Sequence, residues 1–358
     1  LVLQEHALLR AQILAPSLRA VAALSAAALA VVLLLGVPVF AQQSHPRARL
    51  AVVPVERLAL DRLHPLRLEL VLEQQAPHLR EPPAPLARRR YLWVHDPLAL
   101  ASDQDYFTRP FLESLAGIFV LSNHSRSQFP AHAQDKLLLS ANGLAPQLLR
   151  DGENAHHKVM YASWPSSGLE EVLREWPDIR AAVPAAEFHV FGGFDWWWAT
   201  PLYQNEPWFI QWRASIEALL QHEGVVYWGG VGHDRMAQAY AECGFYVYPT
   251  ETPETAPINL MKAQANGCIP ITSRFPGSAI PETTAGFDLG PPPRQGTTIK
   301  RDAAWRAQWT AAVIEAMRTP QEGLADHRLR MKRRARETYS WPRVASEWDG
   351  LFASHRLG

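Results

Sequence analysis

Short apolar segments alternate with amphipathic segments through the second half of the chain. Five of the apolar segments predict buried β-strands: VMYAS, AEFHV, VVYWGG, FYVYPT and IPITS, which begin at Val159, Ala186, Val225, Phe245 and Ile269. The intervening segments have helical spacing, and in the first of them Leu169, Val172 and Trp176 fall on one side. Strands that alternate with helices predict a parallel sheet in an α/β, Rossmann-like fold, whose ligands bind at the carboxyl ends of the strands.

The chain before residue 150 shows the same alternation less completely. Three strands are predicted there by YLWV, GIFVL and KLLLS, which begin at Tyr91, Gly117 and Lys136. Either Ser122 or Asn123 is expected to cap a helix after the second strand. Residues 42–90 are rich in Pro, Arg and Leu, which predicts short elements and loops because Pro interrupts helices and central strands. We therefore expect a first Rossmann-like domain that is incomplete.

Four parts are expected along the chain. They are an N-terminal segment at 1–45, a partial Rossmann-like domain at 46–150, a second Rossmann-like domain at 151–340 and a C-terminal helix at 341–358. Residues 20–41 carry no charge, and about 20 apolar residues suffice to cross a bilayer as a helix. A membrane anchor, a signal-peptide core and a buried helix all stay open. The first two imply a membrane-associated or secretory-pathway protein, and the third a cytoplasmic one.

Composition and charge exclude some classes of function. The 35 Lys and Arg balance the 35 Asp and Glu, which argues against a nucleic-acid partner because phosphate binding needs a clustered basic excess. The basic run at 328–336 is interpreted as the solvated face of a helix, with an anion or membrane patch as the alternative. Cys243 and Cys268 are expected to be buried thiols, and no metal-site spacing is present.

The strongest chemical signal lies between residues 248 and 282, YPTETPETAPINLMKAQANGCIPITSRFPGSAIPE. A strand that ends at Tyr248 leads into an acidic loop and then into a helix that begins near Pro257, with Thr255 as its expected cap. Exposed amides at a helix start form an anion site suited to a diphosphate. Glu254, just before that start, either accepts hydrogen bonds from sugar hydroxyls or complements the helix dipole, and residue chemistry alone leaves both open.

This stretch resembles the acidic motif of glycosyltransferase family four. In that family a Pro-rich loop leads to a Glu, here Glu254, followed after seven residues by a second acid on the helix. Small residues, a strand and a Gly-x-x-Pro-Glu turn come next, here at 277–282 with one extra residue. The flanks YASWPSSGLEEV and VVYWGGVGHDRM are similar to the family too, and SWPRVASEWDGLF resembles its C-terminal helix that returns to the first domain. The resemblance covers roughly residues 155–350.

The resemblance implies a GT-B fold, with two Rossmann-like domains facing across a cleft. It implies retaining transfer of a sugar from a nucleoside-diphosphate donor, which binds domain 151–340, to an unidentified glycan, protein or lipid acceptor on the side of domain 46–150. The implied catalytic residues are Glu254, which would hold the donor sugar, and His95 in WVHDP, which would face the reacting centre. The implied donor-binding residues are Thr255, Ala256, Ile258, Lys262, Ser163, Ser167, Gly168, Gly230, Val231 and Gly232. Neither a cofactor nor a bound metal is expected.

Three departures from the family pattern bear on activity. The position of the second acid holds Lys262, which cannot accept hydrogen bonds from ribose hydroxyls but could contact the donor phosphates. Ser163 and Ser167 stand where the family commonly has an Arg and a Lys for the diphosphate, and Pro257 removes one amide. Two alternatives to an enzyme therefore stay open: a catalytically degenerate GT-B protein that binds a nucleotide sugar or a protein partner, and a structural module of a larger membrane-linked protein.

Overall fold

A computed structural model of the chain describes residues 51–54, 68–73, 89–95, 97–98, 107–194, 197, 200–292 and 302–354, with backbone alone for 51–54, 68–73 and Arg89. The chain divides into two compact units, Leu1–Ser44 and His45–Gly358, and all the described residues lie in the second. In this described part no helix is long and apolar enough to cross a membrane. The apolar segment predicted at 20–41 lies outside the described residues.

The N-terminal sheet has five strands that lie side by side in chain order. They are β1 Ala51–Pro54, β2 Leu68–Glu73, β3 Arg89–Val94, β4 Gly117–Val120 and β5 Leu137–Leu139. β1 is antiparallel to β2, and the other neighbours are parallel. The three strands predicted between residues 91 and 140 are confirmed, and two more lie within 42–90, where the composition predicted short elements.

Two short helices connect strands of this sheet, α1 Arg109–Glu113 after β3 and α2 Asn123–Ser127 after β4. Ser122 is the N-cap of α2, and its hydroxyl accepts a hydrogen bond from the N–H of Ser125 at 3.0 Å. Of the two predicted caps, Ser122 is therefore the cap and Asn123 is the first residue of the helix. The Ser122 hydroxyl reaches the third amide of the helix from an extended backbone.

The C-terminal sheet is entirely parallel, with the order β10-β9-β6-β7-β8. Its strands are β6 Ala155–Ala162, β7 Glu187–Phe191, β8 Val225–Gly229, β9 Cys243–Tyr248 and β10 Ile269–Thr272. All residues of β9 and β10 are buried, which explains their continuous apolar sequences. This arrangement confirms the predicted alternation of parallel strands and helices.

The helices of the described C-terminal part connect and flank these strands. They are α3 Leu169–Ala182, α4 Thr200–Tyr203, α5 Pro207–Leu219, α6 His233–Glu242, α7 Ile258–Ala265, α8 Ile280–Thr284, α9 Ala303–Arg318, α10 Ala325–Thr338 and α11 Trp341–Ser354. The predicted apolar side of α3 is buried, with Val172, Leu173 and Trp176 inaccessible to solvent. Burial of each such side chain stabilises the fold by about 1.5–3 kcal/mol. Cys243 and Cys268 are buried free thiols, as predicted.

Helix α11 packs against the N-terminal sheet. The indole of Trp348 stacks on Phe119 with ring centroids 4.8 Å apart, and Phe352 lies 5.0 Å from Tyr91. The Trp348 indole N–H also donates to the Ser140 hydroxyl at 2.8 Å. The last helix of the chain therefore holds the first sheet through aromatic contacts, after the chain has completed the second sheet.

The interpretation of the basic run at 328–336 as a solvated helix face holds for Arg330 and Arg333, which are exposed, but is wrong for Arg328 and Arg336. Arg328 is only 8% exposed, and its guanidinium donates to the carbonyl of Gly267 at 3.0 Å. Arg336 donates to the carbonyl of Ala265 at 2.8 Å. These carbonyls lie at the end of α7, where the last turn of a helix lacks internal partners. The Arg side chains supply the missing donors, so this face of α10 is structural.

Candidate functional site

The site predicted from the sequence lies at the carboxyl ends of β6 and β9, which are neighbours in the C-terminal sheet. Ser163 directly follows β6, and Tyr248 ends β9. Their hydroxyl groups are 3.3 Å apart. Parallel strands present their ends at one edge, so the loops after β6 and β9 meet where α/β proteins commonly bind ligands.

Glu254 lies at this edge of the sheet. The phenol of Tyr248 donates to Oε1 of Glu254 at 2.7 Å, while the carbonyl of Glu254 accepts from the N–H of Ala279 at 2.7 Å. Burial, together with the charge of Glu254, raises the pKa of Tyr248 well above its usual range. Tyr248 therefore stays protonated and remains a donor to the carboxylate, which it orients at the strand ends.

Helix α7 begins directly after this acid. Pro257 is its N-cap, so the predicted start is confirmed, while the expectation that Thr255 caps the helix is wrong. The Thr255 hydroxyl instead donates to the backbone carbonyl of His95, because Thr255 precedes the cap by two residues and faces the N-terminal sheet. In the described part of the chain, the backbone N–H groups of Thr255, Ala256 and Ile258 donate no hydrogen bond. These amides form a potential anion site.

His95 directly follows β3, and the bond from the Thr255 hydroxyl to its carbonyl joins the N-terminal sheet to the Thr255 loop. Its imidazole packs against Trp93, with ring centroids 4.3 Å apart. Burial lowers the pKa of His95 to about 4, so the ring is neutral at physiological pH. The structure thus places His95, one of the two residues predicted to be catalytic, in contact with Thr255, which directly follows the other, Glu254.

Lys262 lies one turn into α7 and is partly buried. Neither an ion pair nor a side-chain hydrogen bond of Lys262 occurs within the described ranges. Burial lowers the pKa of this ammonium, and its charge contributes to lowering the pKa of His233 at the start of α6. Lys262 therefore carries an unpaired charge near the loop that precedes α6, which is the electrostatic setting for an anionic ligand.

Different features explain the glycines at the positions predicted to bind the donor. Gly232 is the N-cap of α6, is exposed, and a methyl group added there would meet no atom within 4 Å. Gly230 is exposed as well, and Val231 between them is partly buried. Gly168 has a φ of +109°, and an added Cβ would lie 2.6 Å from the carbonyl oxygen of Pro249. Protein packing explains Gly168, whereas only a closely approaching ligand would require Gly232.

The two serines at the positions of the family's basic residues already have protein partners. The Ser163 hydroxyl contacts Tyr248, and the buried Ser167 hydroxyl accepts from that of Thr252 at 3.2 Å. Each hydroxyl can still take part in a second hydrogen bond. Neither serine supplies the positive charge that an Arg or a Lys would bring to a diphosphate.

Two further residues shape the site and were not predicted. Tyr248 orients Glu254, and the Asn259 amide donates to the carbonyl of Ala162, which joins the start of α7 to the end of β6. The sequence shows Tyr248 only as the last apolar residue of a strand, and Asn259 as an ordinary residue of the first helical turn. In the described parts of the chain, no group of three or more His, Cys, Asp or Glu side chains could hold a metal ion.

Part of the chain is similar to a known family, and the described fold is similar to solved structures. Residues 157–316 match the family glycosyl transferases group 1. No curated protein sequence matches the chain. The solved structure of Anabaena HepE in complex with UDP is 13% identical, with a TM-score of 0.58, and the match covers 75% of this chain and 72% of HepE.

Two more solved structures share the fold. A variant of S. aureus TarM, in complex with Fondaparinux, alpha-GlcNAc-glycerol and UDP, is 12% identical with a TM-score of 0.53, and 74% of this chain matches 50% of TarM. The pneumococcal O-GlcNAc transferase GtfA, in complex with UDP and GlcNAc, is 12% identical with a TM-score of 0.54, and 74% of this chain matches 52% of GtfA. This chain thus spans about half the length of both proteins. The predicted fold class, α/β of the GT-B type, is confirmed.

Proposed function

We propose that this protein transfers a sugar from a nucleoside-diphosphate sugar to an acceptor, because residues 157–316 match the family glycosyl transferases group 1. The single observation that carries the proposal is the start of α7. Three backbone N–H groups without described acceptors follow Glu254 there, and the Glu254 carboxylate accepts from the phenol of Tyr248. The proposal includes hexosyl transfer with retention of the anomeric configuration and without a bound metal.

In this proposal the N–H groups of Thr255, Ala256 and Ile258 bind the leaving diphosphate. Negative charge develops on the diphosphate as the glycosidic bond breaks, and fixed amide dipoles stabilise that charge without reorganising. Loss of one such donor in other enzymes costs roughly 10²–10³ in rate. Pro257 lacks the N–H that another residue at the N-cap would have, so the remaining amides carry a larger share of the stabilisation.

Lys262 supplies the positive charge that Ser163 and Ser167 lack. Its ammonium is partly buried and has no acidic partner among the described residues, so binding an anion compensates the energetic cost of its burial. A phosphate of the donor is the anion that the neighbouring helix start would bring within reach. Gly230, Val231 and Gly232 then let the nucleoside approach the backbone.

Glu254 would hold the donor sugar through hydrogen bonds from its hydroxyls to the carboxylate. The phenol of Tyr248 orients the carboxylate, so the position of this hydrogen-bond acceptor is fixed before the sugar binds. His95 belongs to the N-terminal sheet and is neutral. It would face the reacting centre and contact the transferred sugar or the acceptor.

Uridine nucleotides are the proposed donor class, since three proteins of the same fold were crystallised with UDP. The proposed acceptor is a glycan, a protein or a lipid. Membrane association through residues 20–41 remains a prediction from the sequence.

A nucleotide-sugar-binding protein without transferase activity is the second candidate, favoured by Lys262 and by the two serines at basic positions. Incubation with a panel of UDP- and GDP-sugars separates the candidates, because only an enzyme releases nucleoside diphosphate. Release of UDP from one sugar donor supports the transferase. Nucleotide binding by calorimetry without any release supports the binding protein. The third candidate, a structural module, predicts that no nucleotide changes the thermal midpoint.

A further inference from the structure

Glu282 of α8 bonds directly to the start of α2, the helix that follows β4 of the N-terminal sheet, across 159 residues of sequence. Its carboxylate accepts from the backbone N–H of Asn123 at 3.0 and 2.9 Å, one distance to each oxygen. The Asn123 side-chain amide donates to Oε1 at 3.0 Å, and the N–H of His124 donates to Oε2 at 3.3 Å. Three donors at the beginning of α2 therefore converge on one carboxylate.

These bonds complete the N-cap of α2 from another part of the chain. The first amides of a helix have no internal acceptor. Ser122 accepts the third amide of α2, that of Ser125, and Glu282 accepts the first two. A negative charge at this position also interacts favourably with the helix dipole. The same five-residue helix is thus capped by two residues, one from each sheet region.

The contact links the two parts of the fold that carry the residues proposed to be catalytic. Ala279, which immediately precedes α8, donates its N–H to the carbonyl of Glu254, so the Glu254 loop and Glu282 move together. Helix α2 follows β4, and β4 pairs with β3, which ends just before His95. The Thr255 hydroxyl closes the ring by its bond to the His95 carbonyl. Glu282 and Thr255 are therefore two links between the same two regions.

We propose that Glu282 is a positioning residue that braces the N-terminal sheet against the donor domain and so fixes the separation of His95 from Glu254. Its catalytic consequence rests on the proposed function, whereas the brace itself does not. Exposed hydrogen bonds are individually weak, and Glu282 is exposed. The effect of Glu282 comes from the number of its bonds, because one substitution removes the acceptor of three donors at the same helix end.

The proposal is tested with Glu282→Gln and Glu282→Ala, using Glu337→Gln as the matched control. Glu337 is an exposed acid of α10 in the same half of the chain, so the control removes an equal charge. Spin labels on Glu113→Cys and Gln221→Cys report the distance between the two sheet regions, because both positions are exposed and the native thiols of Cys243 and Cys268 are buried. Both Glu282 variants are expected to lengthen and broaden the distance distribution, and the control to leave it unchanged.

A spectroscopic measurement tests the same contact without activity. The charge of Glu282 raises the pKa of His124, against the lowering caused by burial. Glu282→Gln is therefore expected to lower the pKa of His124 in an NMR titration, whereas Glu337→Gln is not. Unchanged distances together with an unchanged His124 pKa overturn the proposal, even if the thermal midpoint falls.

Turnover then tests the positioning role. Donor contacts lie within the C-terminal half, so Glu282→Gln is expected to leave the dissociation constant for UDP unchanged while kcat falls about tenfold or more, the cost of a small displacement of reacting groups. Glu282→Asp, which retains the charge, is expected to recover part of the loss. Equal kcat in the wild type and Glu282→Gln overturns the catalytic consequence. If the wild type releases no nucleoside diphosphate from any donor, the proposed function fails, and the distances and the His124 pKa alone decide on the brace.

Discussion

The two sheet regions contribute to the candidate site in different ways. The C-terminal region brings Glu254, the amides before and at the start of α7, and Lys262 together around adjacent strand ends. The N-terminal sheet contributes His95, whose neighbours in the site come from the other region. The proposed donor site therefore lies within one part of the fold, whereas the proposed reacting centre depends on how the two parts are placed. Substitutions in the two regions should accordingly change different kinetic constants.

Replacing Glu254 is expected to have the largest effect. Glu254→Gln removes the charge that accepts sugar hydroxyls, and kcat for the preferred nucleotide sugar should fall on the order of 10²–10³-fold, the range found when a preorganised polar contact is lost. Steady-state kinetics measures this change. Glu251→Gln in the same loop is the matched control, and a loss no greater than that of the control contradicts the role of Glu254.

Replacing His95 separates the two regions most clearly. His95→Ala should lower kcat by roughly 10²-fold, the lower end of the usual contribution of a positioned acid or base. The affinity for UDP should stay unchanged, because the proposed UDP site lies in the other region. His132→Gln, in the turn before β5, is the control from the same sheet. Burial lowers the pKa of His95 to about 4. Any change of kcat with pH near 6.5 in the wild type should therefore persist in His95→Ala. A large loss of UDP affinity in this variant would contradict the comparison.

Replacing Lys262 should give the opposite result. Lys262→Met removes the unpaired charge near α6, and the dissociation constant for UDP should rise about tenfold, equivalent to about 1.4 kcal/mol. Lys158→Met, on β6 and paired with Glu187 at 3.6 Å, is the control. Calorimetry measures both constants. An unchanged affinity in Lys262→Met shows that Lys262 does not compensate for the absent basic residues.

Acid should destabilise the C-terminal region through His156, with a smaller effect than the substitutions above. The Nδ1 of His156 faces the Thr319 carbonyl at 2.6 Å and its Nε2 faces an N–H of Arg328 at 2.7 Å, so only the neutral ring with its proton on Nδ1 satisfies both. Burial, with the charge of Arg328, lowers the pKa of His156, against which the Thr319 bond and Glu322 act. Protonation therefore favours the unfolded state.

This linkage has a definite sign. As pH falls below the unfolded value of about 6.5, the unfolded His156 takes up a proton before the folded one, and stability is lost by at most about 1.4 kcal/mol per pH unit. Chemical unfolding between pH 7.5 and 5 measures the slope. His156→Gln should flatten it. Equal slopes in the wild type and His156→Gln would refute the assignment.

Much of the C-terminal fold could be predicted because its signals are local. The alternation of apolar strands and amphipathic helices is complete there, and Pro257 marks the start of α7 correctly. The partner of Thr255 could not be predicted, since its hydroxyl bonds to His95, 160 residues away. Arg328 and Arg336 were misinterpreted for the same reason, because the carbonyls that they satisfy belong to distant elements. Sequence patterns indicate helices and strands, but not the long-range hydrogen bonds between them.

The central claim is that the start of α7 binds the diphosphate of the donor. A crystal of the protein soaked with UDP tests it most directly. We expect density for the β-phosphate within hydrogen-bond distance of the N–H groups of Thr255, Ala256 and Ile258, with Lys262 close to the nucleotide. UDP bound at another place, or its absence at concentrations that saturate the protein in calorimetry, contradicts the claim.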